Sequence, residues 1–401
     1  MIDSKVMKQE SDQWVEAHET LIRQIATYLH AHPELGEKEY LAARYLRHVL
    51  AEAGFTVTDC VPERFPTAFQ ATYGTGPVQI GFLAEYDALP GLGHGCGHNL
   101  IAAMSVGAAL AFAAVAADVA TIHVYGCPAE ETAASKEYMS AQGVFDGLTA
   151  ALIIHPGEDK TALGGTSYAT HPLEFAFTGK PAHVADPDYH GINALDAAVD
   201  FYQALKEKEK EFTERHIIGI IFTEAGTAPN IVPDRAVLHA TIRAMKADYL
   251  EGTMLPAIRA LAQAVSDRHG TTLSMVHYEP LLKDMVNDPR LDVYFAEAFS
   301  ELGEEFDVKD DDYAEGSTDV GNVSQVTRTS QPSLCIGYHI SGHTPEFACA
   351  AGSEYALQQA ALGAKAMARV AADVVAEQER PPVAPADEEA QWRKAYETLS
   401  P

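Results

Sequence analysis

Basic residues are scarce in this chain. Its 401 residues include 28 Lys and Arg against 57 Asp and Glu, a formal net charge of -29. A surface of that sign repels phosphate backbones and anionic lipid, so neither nucleic acid nor a membrane is an expected partner. Cysteine is scarce too. Cys60, Cys96, Cys127, Cys335 and Cys349 form an odd, sparse set, which excludes a dense disulfide framework. The opening residues, "MIDSKVMKQESDQW", lack the apolar run of a secretory leader, so a reducing, cytoplasmic setting is expected. The most apolar stretch, from Leu100 to Ala120, is Ala-rich and carries Ser105 and Asp118. It reads as a buried helix leading to a strand, not a membrane span. No repeat of solenoid period is present.

What remains is globular composition, 47% hydrophobic and 21% charged, in a chain long enough for two domains. Residues 14 to 54 read as helix, broken by a loop at "HPELGEKE". Strands at 56–58, 68–73, 78–83, 121–125 and 150–154 alternate with helices at 100–117 and around Glu137 to Met139, the pattern of an α/β layered sheet. The rhythm then changes. Strand 170–178, helix 193–212, strands 217–223 and 236–245, helix 250–268 and strand 272–278 have the β-α-β-β-α-β order of a ferredoxin-like unit. The α/β pattern resumes after Pro289, with helix 291–302, strand 333–336 and helix 353–376. The expected domains are 1–166 and 287–401 for the α/β part and 167–286 for the insert. The Pro-rich tail from Glu377 reads as a surface extension.

"GLGHGCGH", residues 91–98, lies between a strand and a helix. The dinucleotide fingerprint G-x-G-x-x-G fails in both registers: Cys96 stands at the third glycine position counted from Gly91, and His98 counted from Gly93. A thiolate and an imidazole separated by one residue, Cys96 and His98, suit zinc and related metals. Other candidate ligands stand at the ends of further hydrophobic runs: Glu130 and Glu131 in "GCPAEET", His155 after 150–154, and His343 in "SGHTPEF". The carboxyl ends of strands are where ligands gather in α/β sheets. Adjacent carboxylates leave the backbone in different directions, so one can bind metal while the other takes a proton from a metal-held water.

Together, "AEYDALPGLGHGCGHN", "PAEE", His155, "GKPAHVADPDYHGINALDA", "NIVPD" and "GHTPEF" resemble peptidase family M20 over residues 20 to 375 or so. The similarity is to its amidohydrolase branch, and within that to the subgroup named peptidase M20 domain-containing protein 2. The resemblance implies an α/β, mixed-sheet metallopeptidase-type catalytic domain with an inserted ferredoxin-like lid and dimerisation domain. It implies one or two divalent ions, zinc or manganese, held by Cys96, His98, Glu131, His155 and His343. It makes Glu130 the general base and Asp87 the carboxylate that orients a ligand. In the insert, it implies that His183 reaches the partner subunit's active site and stabilises the oxyanion. Asn230 and Arg243 would grip a substrate carboxylate. Three positions depart from the commoner branch: Asn99, Cys127 and "STDVGNVS" at 317–324. Cys127 is expected to be a buried structural thiol.

The implied function is metal-dependent hydrolysis of the amide bond of an N-acyl or N-aroyl amino acid or a dipeptide, in a homodimer. Three alternatives stay open: a strict dipeptidase of the same fold, a cysteine hydrolase using Cys96, and a non-catalytic protein with a structural zinc.

Overall fold

The computed structural model describes residues 4–186, 190–378 and 394–395. The expected surface tail lies outside the described residues except for Glu377, Gln378, Lys394 and Ala395. Two compact units are present. One comprises the chain up to Thr166, Val286–Tyr313 and the chain from Asn322; the other comprises Ser167–Met285 and Ala314–Gly321.

The α/β unit is built on a six-stranded sheet in the order Thr56–Asp59, Phe69–Gly74, Ala120–Cys127, Val78–Glu85, Ala150–Leu152, Thr329–Ser330. The first three strands pair antiparallel, and the last four run parallel. Strand Val78–Glu85 therefore lies between two parallel neighbours, and seven of its eight residues are buried. That explains its continuous apolar run in place of an alternating one.

Helix His98–Ala116 packs along this strand and against helices Ser4–Ala17, Glu19–Ala31 and Glu354–Glu377. It is apolar on every side, and of its residues only Ala114 and Val115 escape burial. It is long and apolar enough to cross a membrane, but 83% of its most apolar window is buried inside the protein. A helix that is hydrophobic all round is a core helix or a span, and here it is the core.

A second, four-stranded sheet orders Phe306–Ala314, Thr161–Thr166, Ser333–Cys335 and His155–Gly157. Three of these strands are absent from the sequence expectation. "FDVKDDDYA" is rich in aspartate and "TALGGT" contains two glycines, residue types depleted in strands. The third is only three residues long. It begins at His155, so this residue lies on a strand, not in a loop.

The inserted unit has the expected element order. Its sheet runs Thr272–His277, Ala169–Thr178, Arg235–Ala244, His216–Ala225, with every neighbouring pair antiparallel. Helices Ala194–Glu209 and Leu255–His269 share a core with it, in which Phe175, Phe177, Phe201, Leu205, Leu238 and Ile258 are buried. The second helix starts later than expected. Leu250–Met254 forms a π-helical turn ahead of Pro256, whose ring nitrogen cannot donate to the ladder. Residues 314–321 also belong to this unit. The Gly316 carbonyl accepts a hydrogen bond from the Tyr168 amide at 3.0 Å, and the Ser317 and Thr170 hydroxyls are 2.7 Å apart.

Asn193 caps helix Ala194–Glu209, accepting from the Leu195 and Asp196 amides at 3.0 and 3.3 Å. Asn193→Ala is expected to destabilise the inserted unit by about 1 kcal/mol, read as an earlier denaturation midpoint. An unchanged midpoint would show that the cap is not needed.

Candidate metal centre

Three parallel strands end side by side, with Glu85 opposite Cys127 and Phe82 opposite Leu152 in register. The segments just beyond these strand ends make the site: Asp87 after the first, the turn 128–134 after the second, His155 after the third. Helix His98–Ala116 contributes His98 as its first residue. His343 comes from a later loop, and its backbone amide donates to the Gly95 carbonyl at 3.0 Å.

Asp87 links two of these pieces. It is buried, and its Oδ1 lies 3.0 Å from His98 Nδ1 while its Oδ2 accepts from the Glu131 amide at 3.0 Å. One carboxylate thus fixes both the imidazole ring and the turn that carries the Glu pair. Burial by itself would raise the Asp87 carboxyl, but the adjoining His98, with the Glu131 amide and Lys136, outweighs it and holds the group below its usual value. His98 shows the converse. Burial opposes its charge, yet Asp87 and Glu85 prevail and raise it well above the ordinary imidazole value.

With Nδ1 committed to Asp87, His98 Nε2 faces inward. It is buried and has no hydrogen-bond partner. It lies 3.5 Å from Glu85 Oε2 and 3.8 Å from Glu131 Oε1. Three groups of side chains each place their ligand atoms within 4.8 Å of one another: Glu85, His98 and His155; His98, Glu130 and Glu131; Cys96, Glu131 and His343. His98 and Glu131 are each shared by two groups, so the three form one continuous cluster. All six residues expected from the sequence to form the centre are therefore brought together, with Glu85 in addition.

Local backbone explains the convergence. Gly97 has φ 74°, and a Cβ there would lie 2.8 Å from Pro156 Cγ. Glycine is needed both for the left-handed turn and for the close approach. This contact sets His98 near His155, their ring centroids 6.1 Å apart. Burial lowers the His155 imidazole, favouring the neutral form that coordinates metals. The Cys96 thiol is pushed up, first by burial and then by Glu131. A nucleophilic cysteine needs the opposite setting.

Two supports are not visible in the sequence. Glu39, in the segment read only as loop, is fully buried. It accepts from the Ala129 amide at 2.7 Å, the Glu37 amide at 3.0 Å and the Thr67 hydroxyl at 3.0 Å. It thereby anchors the residue preceding Glu130, where Ala129 takes a left-handed φ of 57°. Burial pushes the Glu39 carboxyl up to about 7. The second support is Lys136, fully buried, with Nζ 2.8 Å from Glu85 Oε1. A buried Lys one strand end away from an acidic cluster is a signal that exists only once the turn is folded. Of the departures from the commoner branch, Asn99 donates to the Ala26 and Ala351 carbonyls at 3.3 and 3.0 Å, a packing role. Cys127 is buried, its Sγ 3.4 Å from the Tyr125 carbonyl oxygen.

In the inserted unit, His183 and Asn230 are exposed and share one end of the sheet. His183 bridges Ile231, and the Val184 amide donates to the Asn230 carbonyl at 3.2 Å. Arg243 is half-buried near the other end of strand Arg235–Ala244. From Arg235 to Arg243 the strand rises roughly 26 Å. Within one unit, the structure does not bring Asn230 and Arg243 together on one carboxylate.

A parallel sheet end with this donor set, in a unit interrupted by a ferredoxin-like insert, defines a class: the peptidase-type hydrolases of amide bonds. A model of peptidase family M20/M25/M40 matches residues 81–390. The mouse protein named Xaa-Arg dipeptidase is 34% identical over 327 residues, covering 77% of this chain and 75% of its own. One of the subunits of p-aminobenzoyl-glutamate hydrolase from Escherichia coli strain K12 is 34% identical over 259 residues, covering 58% and 53%. The crystal structure of the Bacillus subtilis YXEP protein, described as a dinuclear metal binding peptidase from M20 family, shares the fold with a TM-score of 0.68 at 21% identity, covering 90% of this chain and 99% of its own. This chain belongs to peptidase family M20/M25/M40, in its amidohydrolase branch, and is a hydrolase acting on C–N amide bonds.

Gly97→Ala is expected to lower stability by about 1–3 kcal/mol and to reduce activity together with it, checked by denaturation and turnover. Full stability in that variant would show that the left-handed turn is not required. Glu39 has a raised carboxyl, so its contribution to stability is complete below about pH 4.5 and is lost as pH rises through about 7. The melting temperature of Glu39→Gln, measured against wild type, should therefore gain ground from pH 5 to pH 8. A constant difference would rule this out.

Proposed function

We propose that this hydrolase is metal-dependent, with one or two divalent ions, zinc or manganese, held by Cys96, His98, Glu131, His155 and His343. The observation that carries the reading is His98 Nε2, buried without a hydrogen-bond partner and facing carboxylate oxygens of Glu85 and Glu131. A ring nitrogen and carboxylate oxygens that converge without a hydrogen bond between them fit a cation. The donor set of thiolate, imidazoles and carboxylates suits a transition metal. The YXEP neighbour, by its description, binds two metals. A bound ion would supply Lewis acidity, lowering the pKa of a water to about 7 and polarising the scissile carbonyl.

The chain's own residues do the rest. Asp87 holds His98 in one orientation. Glu39 and Asp87 fix the two ends of the segment from Ala129 to Glu131. The Glu130 carboxylate accepts the proton of the attacking water and returns it to the leaving amine. Arg243 offers a forked cation for a substrate carboxylate, and its Nε is buried without a partner. The substrate is an N-acyl or N-aroyl amino acid or a dipeptide with a free carboxylate, a class that includes the substrates named for the dipeptidase and aminobenzoyl-glutamate relatives. Cys96 sits among the ligand atoms of Glu131 and His343, a setting for a ligand more than for a nucleophile, and the mixed donor set with Glu130 beside it argues against a closed structural zinc.

The active form is a homodimer through the inserted unit. Edge strand His216–Ala225 exposes Ile217, Ile221 and Phe222, an unpaired apolar edge of the kind that pairs with another chain. His183 then supports the oxyanion of the partner subunit's site. A separate end of the insert for His183 and Asn230, away from Arg243, is consistent with that division.

Glu130→Gln should keep its metal content by elemental analysis and lose roughly 10²–10⁴-fold in kcat; retained turnover would remove Glu130 from the role of base. Mass-spectrometric screening of dipeptides against N-acyl and N-aroyl amino acids separates the broad amidohydrolase from a strict dipeptidase. Heterodimers of Glu130→Gln and His183→Ala subunits should regain one working site per dimer. No regain would show that His183 does not act across subunits.

A further inference from the structure

We propose that Glu85 is a further protein ligand at the metal centre, and that Lys136 is the positioning residue that holds its carboxylate in place. The proposal rests on the metal-dependent reading above but adds a residue that lies in the motif "AEYDALP" without an expected role and outside the expected ligand set.

Glu85 is the last residue of strand Val78–Glu85, and Asp87 stands two positions further on. The two carboxylates take different parts of His98. Asp87 meets Nδ1 at 3.0 Å, and Glu85 Oε2 faces Nε2 at 3.5 Å. The second distance is longer than a hydrogen bond. Glu85, His98 and His155 each offer one ligand atom within 4.8 Å of the others. The arrangement does not depend on loose surface groups, since Glu85 and Lys136 are both fully buried and His98 is 1% exposed.

A buried carboxylate needs compensation on both oxygens. Lys136 Nζ lies 2.8 Å from Oε1. That ion pair occupies Oε1 and leaves Oε2 facing His98 Nε2. An ion between Oε2 and Nε2 would complete the second oxygen and the orphaned nitrogen together. Lys136 also limits the charge of the cluster. Glu85, Asp87, Glu130 and Glu131 place four carboxyl groups around this strand end, and a fixed ammonium behind one of them reduces their mutual repulsion before a metal arrives.

The competing account makes Glu85 only the buried counter-ion of Lys136. The two accounts separate in the double variant Glu85→Gln/Lys136→Met. It removes both charges at similar volume, a change that buried pairs often tolerate. Wild type and variant are stripped with chelator, offered Zn2+ or Mn2+, desalted and analysed for metal per chain. Affinity is read by competition with a chromophoric chelator, and folding by thermal melt. The folded double variant is expected to lose one ion per chain or to bind about tenfold or more weakly, in the range that loss of metal-site partners produces. Unchanged metal content and affinity would overturn the proposal. Glu85→Asp provides a second reading should the double variant not fold. It keeps the charge but withdraws the oxygens by one methylene, and it should weaken binding, whereas unchanged affinity again overturns the proposal. A wild-type chain that binds no metal would overturn the metal reading itself and this proposal with it. Binding by wild type with an indifferent variant overturns the proposal alone.

Discussion

The Asp87 carboxylate is the junction on which this site depends. One oxygen holds the His98 ring and the other holds the Glu131 amide. Those two contacts join the first residue of the core helix to the turn after a neighbouring strand. If Asp87 were absent, His98 would be free to rotate and the Glu pair would lose its anchor on that side. The electrostatics centre on the same junction. Burial opposes charge on both Asp87 and His98, and their mutual interaction, joined by the Glu131 amide and Lys136 on one side and by Glu85 and Glu131 on the other, outweighs it.

Around that junction, chain geometry does the positioning. Parallel strands in register bring three carboxyl ends to one level. Gly97 permits close approach to Pro156, and Gly36 packs where a Cβ would meet Thr132 Oγ1 at 2.1 Å. Glu39 secures the left-handed alanine ahead of Glu130. Functional side chains are disproportionately carried by mobile surface loops. In this cluster only His343 is mainly exposed, with 62% of its side chain accessible, whereas 11% of Glu131 is.

Much of this is legible in the primary structure. Strand Val78–Glu85 and helix His98–Ala116 announce themselves by long apolar runs, and the ferredoxin-like order by its alternation of periods. The clustering of Cys96, His98, Glu130, Glu131, His155 and His343 is expected from their places at the ends of hydrophobic segments. The features that are not legible share a physical cause. Phe306–Ala314 is a strand because a neighbour pairs with it, against its own acidic composition. Glu39 looks like one more loop carboxylate until the fold buries it. Lys136 looks like a solvated helix residue until the Glu85 carboxylate is set beside it. The placing of Asn230 and Arg243 near opposite ends of one strand is not legible either, because spacing along the sequence says nothing about which end of a sheet a residue occupies.

The helix that forms the centre of the hydrophobic core also begins with a residue of the site. His98 cannot shift without moving Asn99, Leu100 and the packing beneath them, including Gly107, where a Cβ would meet Ile22 at 2.9 Å, and Gly363 against Met104. Folding and chemistry therefore draw on the same residues. A map of inactivating substitutions along this chain would not outline a pocket. It would run down the axis of that helix, many residues from the nearest reacting atom, and catalytic failure there would be a report on packing.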